Sequence, residues 1–359
     1  MTARPVLPTR REVVARAHAA GLRVAGVLPY HYPRPLLRAH GFHPVELWGP
    51  PGVSRDEGSR HFQTYTCDIV VRATSFLLQG GLDTVDALLI PHTCDALQGM
   101  GSVLGDFVRP TPPALTLYLP RGRRPVDGEF LAAELHRLAE SLAEISGTVP
   151  DEATWREAFA AEDAADRALA SLYARRDGLA VSDRDFHSVV RSREFLFPED
   201  FVTLAGSLPA GDPPGGLPLM LSGIVAEPLD LFDHLAAMGA RVVTDDLASG
   251  LRRLYPPEDE GDPYERLATR LLGGPPDPTR GDPIAARAQA LLTRLRAAGA
   301  SGLVIYDPKF CEPELFDIPR LRAHLGAEGY PLLHLEVELT GSLSQQALTR
   351  LEAFVETLR

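Results

Sequence analysis

Cys67, Cys94 and Cys311 are the three cysteines of a 359-residue chain. Their contexts are YTCDIV, PHTCDAL and KFCEPEL, and each is followed at once by an acid: Asp68, Asp95 and Glu312. Three thiolates make an incomplete tetrahedral set. The position they leave open is what a metal site needs for chemistry. Two other readings stand beside that one. Free cysteines are common core residues, and the same three sulfurs can build a redox-inert zinc site. No Cys-X-X-Cys occurs, and Cys94 lies 27 residues after Cys67 and 217 before Cys311. Spacing alone does not suggest a cluster.

Three further residues stand where chemistry is possible. Glu46 is the one acid in the apolar run HPVELWG, and a carboxylate there can act as acid or base; its plain alternative is an edge-strand or surface charge. His92, two residues before Cys94, can donate a hydrogen bond to a metal-bound sulfur or a substrate, or serve only as a loop histidine. Lys309, two residues before Cys311, is the sole lysine, and asparagine is absent. A GC-rich coding sequence is the simplest cause of that bias. A cation at Lys309 would raise the potential of a nearby centre or stabilise developing negative charge, unless it is only a surface residue. Asp68, Asp95 and Glu312 read as helix-start acids, and Asp245 and Asp246 as a strand-ending turn. GMGSVLG (99–105) lacks the GxGxxG spacing. No Walker A pattern occurs, so any ATP dependence comes from another chain.

The elements that must position these residues alternate. Strand runs are read at 22–30, 43–49, 85–91 and 115–120, with helical spacing at 33–41 and 65–81. Residues 123–212 change character: 130–147, 152–176 and the segment from Ser182, a candidate N-cap, are amphipathic. PAGDPPGGLP (209–218) reads as a linker. Strands then recur at 217–223, 240–246, 301–308 and 330–338, between helices at 227–239, 264–274, 283–300, 318–329 and 344–359. Strands spaced by helices imply parallel sheets. The expected architecture is α/β: two doubly wound parallel-sheet (Rossmann/flavodoxin-like) units with a helical insert between them. The boundaries are 1–122 with Cys67 and Cys94, 123–212 helical, and 213–359 with Cys311. In open α/β sheets ligands bind beyond the carboxyl ends of the strands. Cys94 and Cys311 are placed there, one in each unit, and Cys67 where a helix begins, which favours the thiolate. The site would close across the two units.

Composition narrows the class. Apolar residues make up 45% and charged residues 23%, within the range of water-soluble folds, and the net charge of −12 disfavours nucleic acid and anionic lipid as partners. The first twenty residues lack a signal-peptide run, and no apolar stretch approaches membrane-spanning length. The expectation is a reducing cytoplasm with free or metal-bound thiols.

In order along the chain, YPRPLLRAHGFHPVELWG, Cys67, VDALLIPHTCD, LMLSGIVAEPLDLFDHLAAMGARVVTDD, the Gly-Asp-Pro step at 261–263, YDPKFCEPEL and SQQALTRLEAFVE resemble the 2-hydroxyacyl-CoA dehydratase and benzoyl-CoA reductase family. All three cysteines fall on matching segments. The resemblance implies a [4Fe-4S] cluster held by Cys67, Cys94 and Cys311, with water, another small ligand or a thioester oxygen on the fourth iron. It implies an anaerobic enzyme working with a homologous second subunit as a heterodimer, or as a homodimer, and an ATP-hydrolysing iron–sulfur activator that supplies one electron to an acyl-CoA. In the dehydratases a ketyl radical anion then expels the hydroxyl; in the reductases a ring is reduced. The reading is a cluster-bearing dehydratase subunit. Its rivals are a benzoyl-CoA reductase subunit, an electron-relay protein without its own substrate, and a non-redox binding protein.

Overall fold

Short apolar runs too brief for buried helices dictate the two sheets, as in ALLIPH and GLVIYDP, which are buried on both faces. The computed structural model describes residues 5–28, 31–46, 49–50, 52–258, 260–339 and 341–359. The expected ends of the first two strands, at Pro29–Tyr30 and Leu47–Trp48, lie outside the described residues. The first part of the chain runs α1 (Arg10–Ala19), β1 (Arg23–Val27), α2 (Arg34–Ala39), β2 (Phe42–Glu46), α3 (Asp56–Ser59), α4 (Asp68–Leu78), β3 (Ala87–His92), α5 (Asp95–Ser102) and β4 (Ala114–Tyr118). Then come α6 (Pro125–Ser146), α7 (Glu152–Ala174), α8 (Asp183–Ser192) and α9 (Pro198–Ser207). The last part is β5 (Leu217–Gly223), α10 (Asp230–Ala237), β6 (Ala240–Leu247), α11 (Pro263–Leu272), α12 (Ile284–Ala297), β7 (Gly302–Pro308), α13 (Glu312–Ala327), β8 (Leu332–Val337) and α14 (Gln345–Thr357).

Both sheets are four-stranded and wholly parallel, in the orders β2-β1-β3-β4 and β6-β5-β7-β8. These are the same order twice, each doubly wound as expected. The winding reverses between β1 and β3, and again between β5 and β7, and the crevices at those points open at the carboxyl ends of the strands.

Alternation along each strand feeds two cores. In β3, Leu88 and Ile90 join α1, α4 and α5 on one face, while Ala87 and Leu89 join α2 and α6 on the other. In the second sheet Leu219 and Leu221 pack with α10 and α14, and Leu303 and Ile305 with α12 and α13. The helices of 123–212 share these cores. Leu131, Leu135 and Leu138 of α6 cover the first sheet together with Leu267 and Leu271 of α11. Leu169 of α7 and Phe186 of α8 enter the cluster that also holds Cys67 and Cys311.

Helix boundaries differ from the spacing where proline intervenes. The helix expected at 318–329 begins at Glu312, with Pro313 in its first turn and Pro319 carried inside it. A first-turn proline costs no hydrogen bond, so the start lies earlier than Pro319 suggests. By the same rule α6 opens at Pro125, ahead of the expected 130. After α5, Val103–Val108 forms a π-helical turn that the spacing does not reveal. Among the described residues no helix is long and apolar enough to cross a membrane.

Candidate functional site

Each of the three cysteines is the N-cap of a helix: Cys67 of α4, Cys94 of α5 and Cys311 of α13. The three helix starts meet at one cavity of about 520 Å³, lined by all three cysteines, by Asp95, Arg121 and Thr279, and by the aromatic rings of Phe62, Tyr65, Phe310 and Phe316. Side chains from distant parts of the chain are thus brought together. Cys67 and Cys311 are buried, and Cys94 is half-buried. Among the described residues, no group of three or more His, Cys, Asp and Glu side chains gathers tightly enough to hold one metal ion. The thiols border a space rather than a point.

Backbone contacts lock the turns that carry the thiols. The Asp68 N–H donates to the Lys309 carbonyl at 3.0 Å, which joins the Cys67 turn to the Cys311 turn. The Asp68 carboxylate accepts from the Leu339 N–H at 2.8 Å and from Arg72 Nε at 2.7 Å. Between β7 and α13 the chain reverses sharply through Phe310, whose φ of 64° lies in the left-handed region. That conformation costs a residue with a Cβ roughly 1–2 kcal/mol. The Phe310 N–H donates to Glu336 Oε1 at 2.8 Å, and the Cys311 N–H to the Pro308 carbonyl at 3.0 Å.

The environment separates the three thiols. Cys67 is lowered, first by a hydrogen bond from the Cys311 thiol, against the effect of burial, and then by the N–H groups of Ile69 and Val70. Those N–H groups act through the field of the helix start, since neither makes a capping hydrogen bond of ordinary geometry. As the donor in that pair, and buried, Cys311 is pushed well up. Burial pushes Cys94 up to about 12, opposed by the Leu97 N–H and reinforced by the charge on Cys67. Its partial exposure works against the rise, because water reaching the cavity solvates the thiolate. The surroundings thus favour the charged form at Cys67 and oppose it at Cys94 and Cys311. Full deprotonation needs positive charge in the cavity, as a metal centre would supply.

Glu46, His92 and Lys309 do not line the cavity. Glu46, at the end of edge strand β2, is fully buried and gripped by Arg191 through Nε at 2.7 Å and Nη2 at 2.6 Å. Arg10 adds contacts at 3.2 Å to the carboxylate and 3.0 Å to the carbonyl. The His92 ring meets Tyr118 edge-on, 4.5 Å between centroids, and burial lowers its pKa. Lys309 reaches outward to Glu338 at 2.8 Å. Asp245 accepts from the Tyr173 hydroxyl, and Asp246 pairs with Arg252 at 3.1 Å.

The spacing of residue types does not reveal a buried charge network beneath the cavity. Arg252 binds Glu314 at 3.0 Å and lies 3.4 Å from Asp277; Arg287 binds Glu314 and lies 3.1 Å from Asp317. The network ties the end of β6 and the start of α13 to the 277–283 turn, which brings Thr279 to the cavity wall. A signal for that turn exists in the chain: Gly-Asp-Pro recurs at 281–283, directly before α12, as it does at the start of α11.

Residues 29–358 match the family described as 2-hydroxyglutaryl-CoA dehydratase, D-component. The beta subunit of lactoyl-CoA dehydratase from Anaerotignum propionicum is 25% identical over 350 residues, 94% of this chain and 92% of that protein. The beta subunit of (R)-2-hydroxyglutaryl-CoA dehydratase from Acidaminococcus fermentans is 26% identical, covering 97% of this chain and 96% of that protein. A benzoyl-CoA reductase subunit from Thauera aromatica is 23% identical, over 94% of this chain and 91% of that protein.

Proposed function

Because this chain belongs to the 2-hydroxyglutaryl-CoA dehydratase D-component family, we propose that it is a beta-type subunit of a 2-hydroxyacyl-CoA dehydratase, a lyase, and that Cys67, Cys94 and Cys311 hold a [4Fe-4S] cluster. The observation that carries the reading is the meeting of three thiols, each at a helix start, around a cavity of about 520 Å³. A centre with several metal ions needs ligands around a volume, and small-molecule sites span about 300–1,000 Å³. When bound, such a cluster supplies single electrons at low potential to an acyl-CoA thioester.

The chain's own residues do the rest. The N-terminal ends of α4, α5 and α13 direct their positive ends at the sulfurs and stabilise their negative charge. Phe62, Phe310 and Phe316 with Tyr65 restrict water around the site. The Asp68–Lys309 and Asp68–Leu339 hydrogen bonds hold the two halves in register, so the sulfurs keep their mutual placement. A homologous second subunit and an ATP-hydrolysing iron–sulfur activator complete the proposal, in a reducing compartment where the three cysteines form no disulfides. The similarity to a benzoyl-CoA reductase subunit supports a second reading, in which this chain serves ring reduction.

Anaerobic purification with iron and sulfide analysis is the test. Expected are a brown protein with about four irons per chain and loss of colour and iron in Cys94→Ser. A chain that stays colourless and iron-free after reconstitution sinks the proposal. A change in the reduced protein's EPR spectrum on adding a 2-hydroxyacyl-CoA, with dehydrated product, separates the dehydratase from the reductase and from a relay without substrate.

A further inference from the structure

The two sheets repeat one another helix for helix as well as strand for strand. α4 precedes β3 as α12 precedes β7, and α5 follows β3 as α13 follows β7. On that match Cys94, at the start of α5, corresponds to Cys311, at the start of α13. Cys67, at the start of α4, corresponds to Pro283, at the start of α12. Three of four equivalent corners carry sulfur and the fourth does not. Pro283 faces a neighbouring groove, but the turn leading to it enters the cysteine cavity through Pro278, Thr279 and Gly281. Pro278 offers no polar side-chain group and Gly281 has no side chain. Thr279 is therefore the side chain of this trio that can meet a ligand.

Its hydroxyl is already committed in one direction. Thr279 Oγ1 donates to Asp277 Oδ1 at 2.6 Å, and the Thr279 N–H donates to the same oxygen at 2.8 Å. Burial works to raise the Asp277 pKa, but Arg252 and His31 hold it well below the usual carboxylate range, so it accepts and does not donate. A hydroxyl has one proton. A ligand that reaches Thr279 meets lone pairs only and has to bring its own donor. The turn is also firmly held. Asp282 accepts from the Asp277 N–H at 2.8 Å, pairs with Arg280 at 2.8 Å, and binds Arg123, from the loop before α6, at 3.0 and 2.9 Å.

We propose that the sulfur-free wall of the cavity at Thr279, in the turn leading to the fourth corner, is where the exchangeable ligand of this site binds, and that Thr279 selects a hydroxyl-bearing ligand, water or the 2-hydroxyl of an acyl group, by accepting its hydrogen bond. The inference rests on the cluster reading above and adds where the uncovered side of the cluster faces.

Three variants test it without turnover. Thr279→Cys places a fourth thiol on the sulfur-free side of the cavity. The variant is reconstituted anaerobically, reduced and examined by EPR in water enriched in a magnetic oxygen isotope. The parent signal is expected to broaden; Thr279→Cys is expected to keep its iron and lose the broadening. Full iron with undiminished broadening overturns the inference and leaves the cluster reading intact, whereas a parent chain that takes up no iron overturns both. Thr279→Val covers the case in which the cysteine variant does not fold. Its preference for a 2-hydroxyacyl-CoA over the same acyl-CoA without the hydroxyl, measured by calorimetry, is expected to fall roughly 5-fold, the loss of one ordinary hydrogen bond. Thr279→Ser is expected to restore it. An unchanged preference in Thr279→Val overturns the assignment.

Discussion

Glu46 is where a chemical and a structural role make opposite forecasts, and the geometry favours the structural one. Replacing it by alanine leaves Arg191 buried, with Glu227 at 3.6 Å and the charge of Glu194 nearby in place of its doubly bonded partner, and leaves Arg10 to water on its half-open side. Breaking a buried, doubly bonded ion pair by removing one partner costs about 3–5 kcal/mol. At about 2.1 cal/mol/K per residue, 359 residues unfolding as one unit carry an entropy of about 0.75 kcal/mol/K, so the melting temperature should fall by about 4–7 °C. A smaller cooperative unit would fall further. Replacing both partners with apolar residues, Glu46→Leu with Arg191→Met, should recover most of the loss, because the desolvation cost of the pair disappears with it. Thermal unfolding of the single and double variants gives the stability arm, and product formation per folded chain gives the functional one. If Glu46→Ala melts with the parent while turnover collapses, the carboxylate acts in the chemistry and the structural argument is wrong.

Phe310 holds a left-handed backbone conformation. Phe310→Gly should therefore be more stable than Phe310→Ala by about 1 kcal/mol, the reverse of the usual order, and equal melting temperatures would remove the claim of strain. Asp307 is buried and close to Glu314, which together push its pKa up to about 7 against the pull of His334. Its folded pKa is raised, so the folded chain binds the extra proton. Stability from this group is present below the unfolded value of about 4 and declines as pH rises towards about 7. Asp307→Asn should flatten that part of a urea-melt profile against pH, and an unchanged slope would refute the assignment.

The backbone plan was open to reading because it rests on periodicity. Leu88 and Ile90 alternate with Ala87 and Leu89, and the run Gly302–Pro308 is buried from end to end, so both strands show in the residue pattern. Cys94 and Cys311 followed, since a residue beyond the carboxyl end of such a strand is placed by topology alone; Cys67 follows no strand and was legible only as a helix start. Helix starts at Pro125 and Glu312 were harder, because proline signals both a first turn and a break. Glu46 could not be read as buried from its neighbours, since the arginine that makes its burial tolerable lies 145 residues away. Around Thr279 the Gly-Asp-Pro step at 281–283 marks a turn but not where it lies: that depends on a carboxylate two residues back and on arginines from other elements.

That dependence explains where the charge in this chain goes. Arg252 and Arg287 are among the largest fully buried side chains, in a protein whose net charge is −12. Buried ion pairs contribute little net stability compared with apolar residues of the same shape, but they are unforgiving of misplacement, because a displaced partner leaves a bare charge in a dry interior. Arg252 touches groups from β6, from the 277–283 turn and from α13 at once. A shift of any one of these would break a contact that the others cannot replace. The network therefore acts on position more than on total stability, and what it positions is the wall of the cavity that carries Cys311 on one side and Thr279 on the other.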